Sequence, residues 1–98
     1  MAMDTVRPGY NFNLVFPAIN KSVSVEVDAE STELLDIYAL TKEDLDLFQE
    51  GEPFYSLDAS VRRKNHALSF KSPKGQRWYL LFVNRYDKIS VVHHEVYW

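Results

Sequence analysis

Short stretches in which apolar and polar residues alternate dominate this chain, and a period of two is typical of half-buried β-strands. The clearest alternation covers residues 22–28, where valines occupy one face and polar side chains the other. Those valines are Val23, Val25 and Val27. A similar alternation covers residues 9–16. Each stretch therefore predicts a strand with one face in a core.

Two further stretches, residues 34–40 and 77–83, are more continuously apolar. The second predicts a strand covered on both faces, as the centre of a β-sandwich requires. Residues 53–61, 66–70 and 89–98 supply the remaining strand candidates. Turn-forming residues separate these stretches at the intervals expected of an all-β protein.

One short helix is predicted near residues 42–50. Thr41 and Asp44 resemble a capping box at its start, with Asp44 in place of the usual Glu or Gln. Gly51 is a plausible stop at its end. The chain contains no second helix that would connect parallel strands, so a parallel α/β fold is excluded.

The elements together predict an all-β fold, an antiparallel β-sandwich of jelly-roll type with about seven strands and one short helix. The length of 98 residues indicates a single domain, residues 1–98. Residues 1–8 lack an apolar pattern, and we expect them to be flexible.

Composition narrows the functional classes. The chain has no cysteine, which excludes disulfides, thiolate nucleophiles and cysteine-ligated metals and favours a reducing, cytoplasmic location. No stretch is apolar over the roughly 20 residues of a membrane span. The net charge of −3 argues against non-specific binding of nucleic acid by the whole protein.

Charge is strongly segregated along the chain. Residues 28–58 contain ten acidic residues and one base, Lys42, whereas residues 62–77 contain six bases and no acid. These bases are Arg62, Arg63, Lys64, Lys71, Lys74 and Arg77.

Three interpretations of the basic segment stay open. It docks an acidic protein partner or another copy of the chain. It contacts phosphate groups of nucleic acid or of an anionic lipid surface. Alternatively, the acidic and basic segments neutralise each other within the fold.

Aromatic residues near the final strand suggest a different kind of site. Tyr86, Tyr97 and Trp98 offer flat rings with polar edges, as a platform for a carbohydrate or another small ligand would use. The alternatives are that Tyr97 and Trp98 close the core, or that Trp98 inserts into a neighbouring subunit.

Residues for catalysis or metal binding are sparse. The residue types of a serine–histidine–acid triad are present as Ser90, His94 and Asp36. The chain lacks the Gly-x-Ser-x-Gly motif that forms a nucleophile elbow. His93 and Glu95 share one face of a strand, yet two ligands are fewer than a zinc site needs. We therefore assign no catalytic residue, no metal and no cofactor.

Two segments carry a family resemblance. Residues 35–40 read Leu-Asp-Ile-Tyr-Ala-Leu, and residues 73–84 read Pro-Lys-Gly-Gln-Arg-Trp-Tyr-Leu-Leu-Phe-Val-Asn. The order of residues in these two segments resembles that in the small β-sandwich group that includes Golgi-dynamics (GOLD) domains and bacterial pre-peptidase C-terminal domains. The resemblance implies that Trp78 and Tyr79 anchor the core and that Asn84 ends its strand by bonding to turn backbone. It also implies a non-catalytic adaptor or dimerisation module.

Taken together, these features favour a non-catalytic protein-binding or self-assembly module that uses an exposed sheet edge or the basic segment. The partner would be another protein or a second copy. Binding of a carbohydrate or small ligand through the three aromatic residues is the alternative, and phosphate contact through residues 62–77 is the third hypothesis.

Overall fold

The computed structural model describes residues 2–98, which form six strands and one helix. These elements are β1 (Ala2–Val6), β2 (Asn11–Phe16), β3 (Ser24–Thr41), α1 (Lys42–Gln49), β4 (Asp58–Lys71), β5 (Trp78–Val83) and β6 (Ser90–Tyr97). All strands belong to one antiparallel sheet in the order β1-β6-β3-β5-β2, with β4 on the other side of β3. The predicted mostly-β architecture with one short helix is confirmed.

The long strand β3 organises the sheet. Along one edge it pairs first with β6, through residues 26–31, and then with β5, through residues 36–41. Strands β5 and β6 therefore lie end to end beside β3. Strands β1 and β2 lie end to end in the same way, because β1 pairs with β6 and β2 pairs with β5.

The connection between β4 and β5 shows that this sheet must curl. Lys71 at the end of β4 pairs with Ser24, at the start of β3. Trp78 at the start of β5 pairs with Thr41, at the other end of β3. A straight strand of this length would span roughly 60 Å, and residues 72–77 reach only about 20 Å. The sheet therefore folds back on itself as a half-barrel, and the molecule measures 39 × 30 × 16 Å.

The concave side of the half-barrel holds the main core. Val25 and Val27 from β3 and Trp78 from β5 are buried in the same cluster. The Trp78 ring also meets the Phe70 ring edge to face, with 5.2 Å between centroids. The alternating valines and the Trp-Tyr strand thus contribute to one core.

The convex side holds a smaller core beneath α1. Leu45 of the helix packs there with Tyr79, Leu81 and Val83 of β5. Because the other side chains of β5 enter the main core, all six residues of this strand are buried. The prediction that residues 77–83 form a strand covered on both faces is confirmed for β5.

The strand count differs from the predicted value of about seven. The stretches 22–28 and 34–40 are predicted as two strands, but residues 24–28 of the first and all of the second lie in the single strand β3. Residues 66–70 and the end of 53–61 likewise lie in the single strand β4. The polar stretches between them lack the alternating pattern because they form the bend of the sheet, where the β3–β4 register shifts between Glu30 and Ile37.

The N-terminal segment also differs from its prediction. Instead of a flexible stretch, residues 2–6 form β1, which pairs with β6 from Ala2 opposite His94 to Val6 opposite Ser90. Val6 is buried in the main core. Five residues are too few for a clear alternating pattern, so only the pairing with β6 reveals this strand.

The helix follows its sequence signals. The Thr41 side chain accepts a hydrogen bond from the Asp44 N–H at 3.4 Å, as expected of an N-cap. Gly51 has a φ of +75°, the left-handed conformation that favours glycine after a helix. Over residues 2–98, no helix is long and apolar enough to cross a membrane.

Candidate functional site: the basic edge

The six bases of residues 62–77 lie along and beyond strand β4, and all are exposed. Arg62, Arg63 and Lys64 occupy the bend of β4, whereas Lys71 ends the strand. Lys74 and Arg77 follow in the turn before β5. Because β3 is the one strand that pairs with β4 among residues 2–98, the other side of β4 is a sheet edge. We call these six residues the basic edge.

Most of the basic edge lacks a nearby carboxylate. Within the described part of the chain, Lys64 alone of the six forms an ion pair, a 4.0 Å contact with Glu33. Lys71 Nζ instead donates to Ser24 Oγ at 2.8 Å. Direct pairing therefore leaves most of the positive charge of the basic edge unneutralised.

Two acidic side chains lie on or beside β4: Glu33 contacts Lys64, and Asp58 accepts a hydrogen bond from the Ser69 N–H at 2.9 Å. Glu26, Asp28 and Glu30 project from the convex side of β3, where Asp28 lies opposite Glu95 of β6. Asp28, Glu30 and Glu95 line a shallow open groove of about 420 Å³. These three carboxylates make this face acidic, and the directly opposed pair Asp28 and Glu95 repel each other. The convex side of β3 is thus acidic, whereas the exposed side chains of Arg62, Arg63 and Lys64 make the bend of β4 basic.

A buried carboxylate holds the bend of the basic edge. Asp36 is 1% exposed and accepts three hydrogen bonds. The donors are the Arg62 N–H at 2.8 Å, the Arg85 Nε–H at 3.0 Å and the Tyr86 hydroxyl at 2.6 Å. Arg62 has a φ of +57°, a conformation that costs free energy in a non-glycine residue. The bond to Asp36 compensates for this cost.

The same network explains the role of Tyr86. Burial of its phenol and the hydrogen bond to Asp36 raise the pKa of Tyr86 to about 12. Arg85, which shares Asp36, also donates to the Tyr38 hydroxyl at 3.4 Å and lies 5.9 Å from the centroid of the Phe48 ring. The Tyr86 hydroxyl thus joins the β5–β6 loop to the bend of β4.

A buried histidine supports the bend from the core side. His66 Nδ1 lies 2.8 Å from Ser60 Oγ, and its Nε2 lies 3.3 Å from Ser31 Oγ. The Ser31 hydroxyl donates to the Glu33 carbonyl at 2.7 Å, so it is assigned as the acceptor of the His66 Nε2–H. Burial lowers the pKa of His66, which favours the neutral ring that this arrangement needs.

The chain matches no protein-family model, and no curated protein is significantly similar to it.

The three aromatic residues predicted as a ligand platform are not brought together. Tyr86 precedes β6 and Tyr97 ends it, so roughly 25 Å of strand separates them. Trp98 is 64% exposed, but one side of its ring packs against Phe16 and Trp78, with centroids 5.3 and 5.8 Å away. The hydroxyl of Tyr97 contacts the Glu95 carboxylate on the convex face.

The serine–histidine–acid set is also dispersed. Ser90 Oγ donates to the Glu33 carbonyl at 3.0 Å, and His94 Nε2 lies 2.9 Å from Asp4. Asp36 belongs to the network at the bend of β4. The structure therefore assembles no triad from these residues.

His93 and Glu95 lie on the convex face beside the acidic groove. Across residues 2–98, no three histidine or carboxylate side chains are placed to hold a metal ion.

The sequence predicted the six bases but not the buried hydrogen-bond network around Asp36 that fixes the bend of β4. An aspartate inside the apolar stretch 34–40 was the available signal for a buried polar network. Its partners, however, lie 26 to 50 positions away in the chain.

Proposed function

We propose that this protein is a non-catalytic binding module that docks an acidic segment of a partner protein on the basic edge. The observation that supports this is the exposed charge. Four of the six bases lie on the edge strand β4 and two in the turn after it, and a single one of the six contacts a carboxylate within the described residues. Unneutralised charge of one sign steers an oppositely charged partner and selects against others.

The bend gives this charge a defined shape. The hydrogen bond from the Arg62 N–H to Asp36 and the His66 network behind the strand hold Arg62, Arg63 and Lys64 in a fixed bend. Charged side chains on an ordered backbone lose less conformational entropy on binding than those on a mobile loop. An extended acidic peptide that follows β4 would meet this group first and Lys71 further along.

Carbohydrate or small-ligand binding by Tyr97 and Trp98 is the second candidate. The exposed side of Trp98 and the neighbouring Tyr97 support it, and Tyr86 would not take part. Phosphate contact through residues 62–77 is the third candidate, because the same charges attract nucleic acid or anionic lipid.

We also propose that the curled sheet is a variant of the small jelly-roll sandwiches, related to GOLD-like and pre-peptidase C-terminal domains. The surroundings of Asn84 support this. Its side-chain amide donates to the carbonyls of Val6 and Lys88, and its side-chain oxygen accepts from the Tyr86 N–H. The absence of cysteine favours a reducing, cytoplasmic setting for the docking.

The docking proposal is tested with a fluorescent glutamate-rich peptide and fluorescence anisotropy. The double variant Arg62→Glu/Arg63→Glu should lose most of the binding, and raising salt should weaken binding by the wild type. Arg7→Glu is the matched control, because Arg7 is exposed but lies outside the basic edge. Equal binding by the double variant and the wild type would refute the proposal.

Duplex DNA and a glycan array separate the other candidates. Tighter binding to DNA than to the peptide at the same salt concentration would favour phosphate contact. Quenching of tryptophan fluorescence by a glycan, lost in Trp98→Ala, would favour the carbohydrate site.

A further inference from the structure

We infer that a second copy of this chain pairs with β2, so that two sheets join edge to edge. Strand β2 ends the strand order of the sheet and has β5 as its one partner in the described chain. No charged side chain occurs from residue 8 to residue 20, a run that contains all of β2. We call Asn11–Phe16 the neutral edge.

The main chain of the neutral edge has hydrogen-bonding groups available. The Asn84 N–H donates to the Tyr10 carbonyl at 3.1 Å, which sets the alternation of the β2–β5 ladder. Bonded and non-bonded pairs alternate along antiparallel strands, so every second residue of β2 bonds to β5. The residues whose N–H and C=O groups point away from the sheet are therefore Asn11, Asn13 and Val15.

Charge decides what this edge can pair with. In a dimer with twofold symmetry, a residue near the axis meets its own copy, so any charge there faces a like charge. The bend of β4 has three consecutive bases, Arg62–Lys64, and β1 contains Asp4. Of the three edge strands, the neutral edge is the one that contains no charged residue, so every register of self-pairing avoids like charges within the strand. It also has no charge with which to select an acidic or basic partner.

A register centred on Asn13 satisfies both the polar and the apolar groups. Asn13 then faces Asn13 of the second copy, and Asn11 faces Val15 of the second copy. This register forms about six main-chain hydrogen bonds. On the concave side, Phe12 faces Leu14 of the second copy. Both side chains are half-buried in one chain, so pairing would cover more of their apolar surface.

The joined sheets would have a functional consequence. Because β4 and β2 lie at different ends of the sheet, pairing through β2 leaves the four bases of β4 exposed in each copy. The dimer would present two basic edges and bind a partner with two acidic segments more tightly than one copy does. The pairing itself does not depend on the proposed function of the basic edge.

Sedimentation equilibrium of the full chain tests the pairing. The apparent mass should rise with concentration from 11.5 kDa towards twice that value. Asn13→Lys and Asn13→Glu should each remain at 11.5 kDa, because each places two like charges at the axis. A mixture of the two variants should recover the dimer, since lysine then faces glutamate.

Asn65→Lys is the matched control. It makes the same change at an exposed residue of β4 and should dimerise as the wild type does. A wild-type mass that stays at 11.5 kDa would overturn the inference, as would dimerisation of Asn13→Lys. Failure of the mixture to recover the dimer would overturn the pairing about Asn13. Loss of peptide binding in Arg62→Glu/Arg63→Glu with dimerisation intact would separate this result from the proposed function.

Discussion

The edge strands β2 and β4 differ in how they are protected against pairing with another chain. An edge strand exposes unpaired N–H and C=O groups to which another chain can add. Strand β4 has a register shift, a residue with positive φ and three consecutive bases at its bend. Strand β2 has none of these features. Its protection is limited to Pro17 at one end and to its short length.

This difference indicates a division of roles. The features of β4 oppose pairing with an identical strand but attract an acidic partner. The neutral edge permits pairing with an identical strand but attracts no charged partner. Under the two proposals, one molecule would use one edge to assemble and the other to bind.

The strongest test of the β4 side is Asp36→Ala. This change removes three hydrogen bonds and leaves the Arg62 N–H and the Tyr86 hydroxyl without their acceptor. We expect it to lower the free energy of unfolding by about 4 kcal/mol. Urea denaturation measures this value, and Asp87→Ala, an exposed acid in the β5–β6 loop, should change it little. Similar stability of the two variants would show that Asp36 does not hold the bend.

A leucine-to-alanine change in each edge strand compares how much the burial of its side chains contributes to the free energy of unfolding. Leu68 of β4 is 2% exposed, whereas Leu14 of β2 is half-buried. At protein concentrations low enough for a monomer, Leu68→Ala should cost about 3 kcal/mol and Leu14→Ala about 1 kcal/mol. Urea denaturation at two protein concentrations checks both values. The cost of Leu14→Ala should rise at the higher concentration if a second copy covers it. A constant cost would contradict the pairing.

Mild acid should weaken the β4 side through His66. Burial lowers the pKa of His66 in the folded state below its ordinary value of 6.5. The unfolded chain therefore binds the proton more readily, and stability should fall as pH drops below about 6.5. Urea denaturation across pH 5 to 8 should show a smaller decline in His66→Gln than in the wild type. Asn65→Gln, an exposed change on β4 that removes no titratable group, should leave the decline unchanged.

The smallest effect is expected from glycine at the bend. Arg62→Gly should raise the free energy of unfolding by about 0.5 kcal/mol, because glycine adopts positive φ without strain. The neighbouring change Arg63→Gly should lower it, since Arg63 does not have positive φ. Thermal denaturation compares the two variants. Destabilisation by both would mean that the Arg62 side chain stabilises the fold by more than its backbone conformation costs.

Local pattern alone was sufficient for several elements. Alternating residues placed the valine face of β3, the apolar run placed β5, and Thr41 with Gly51 bounded the helix. These succeed because the side-chain periods of strand and helix are properties of the backbone itself. The basic edge was likewise visible as a run of bases without an acid.

Pairing over long distances in the chain decided the rest. The continuity of β3 and β4 through polar stretches depends on their pairing across the bend, and β1 exists because β6 offers it an edge. Asp36 finds Arg62, Arg85 and Tyr86 only after the sheet has curled. Which strands become edges is likewise a property of the sheet order. The order of residues specifies the local alternation of apolar and polar side chains. Sheet edges and buried polar networks instead arise from contacts between segments that are distant in the chain, and no local pattern encodes those contacts.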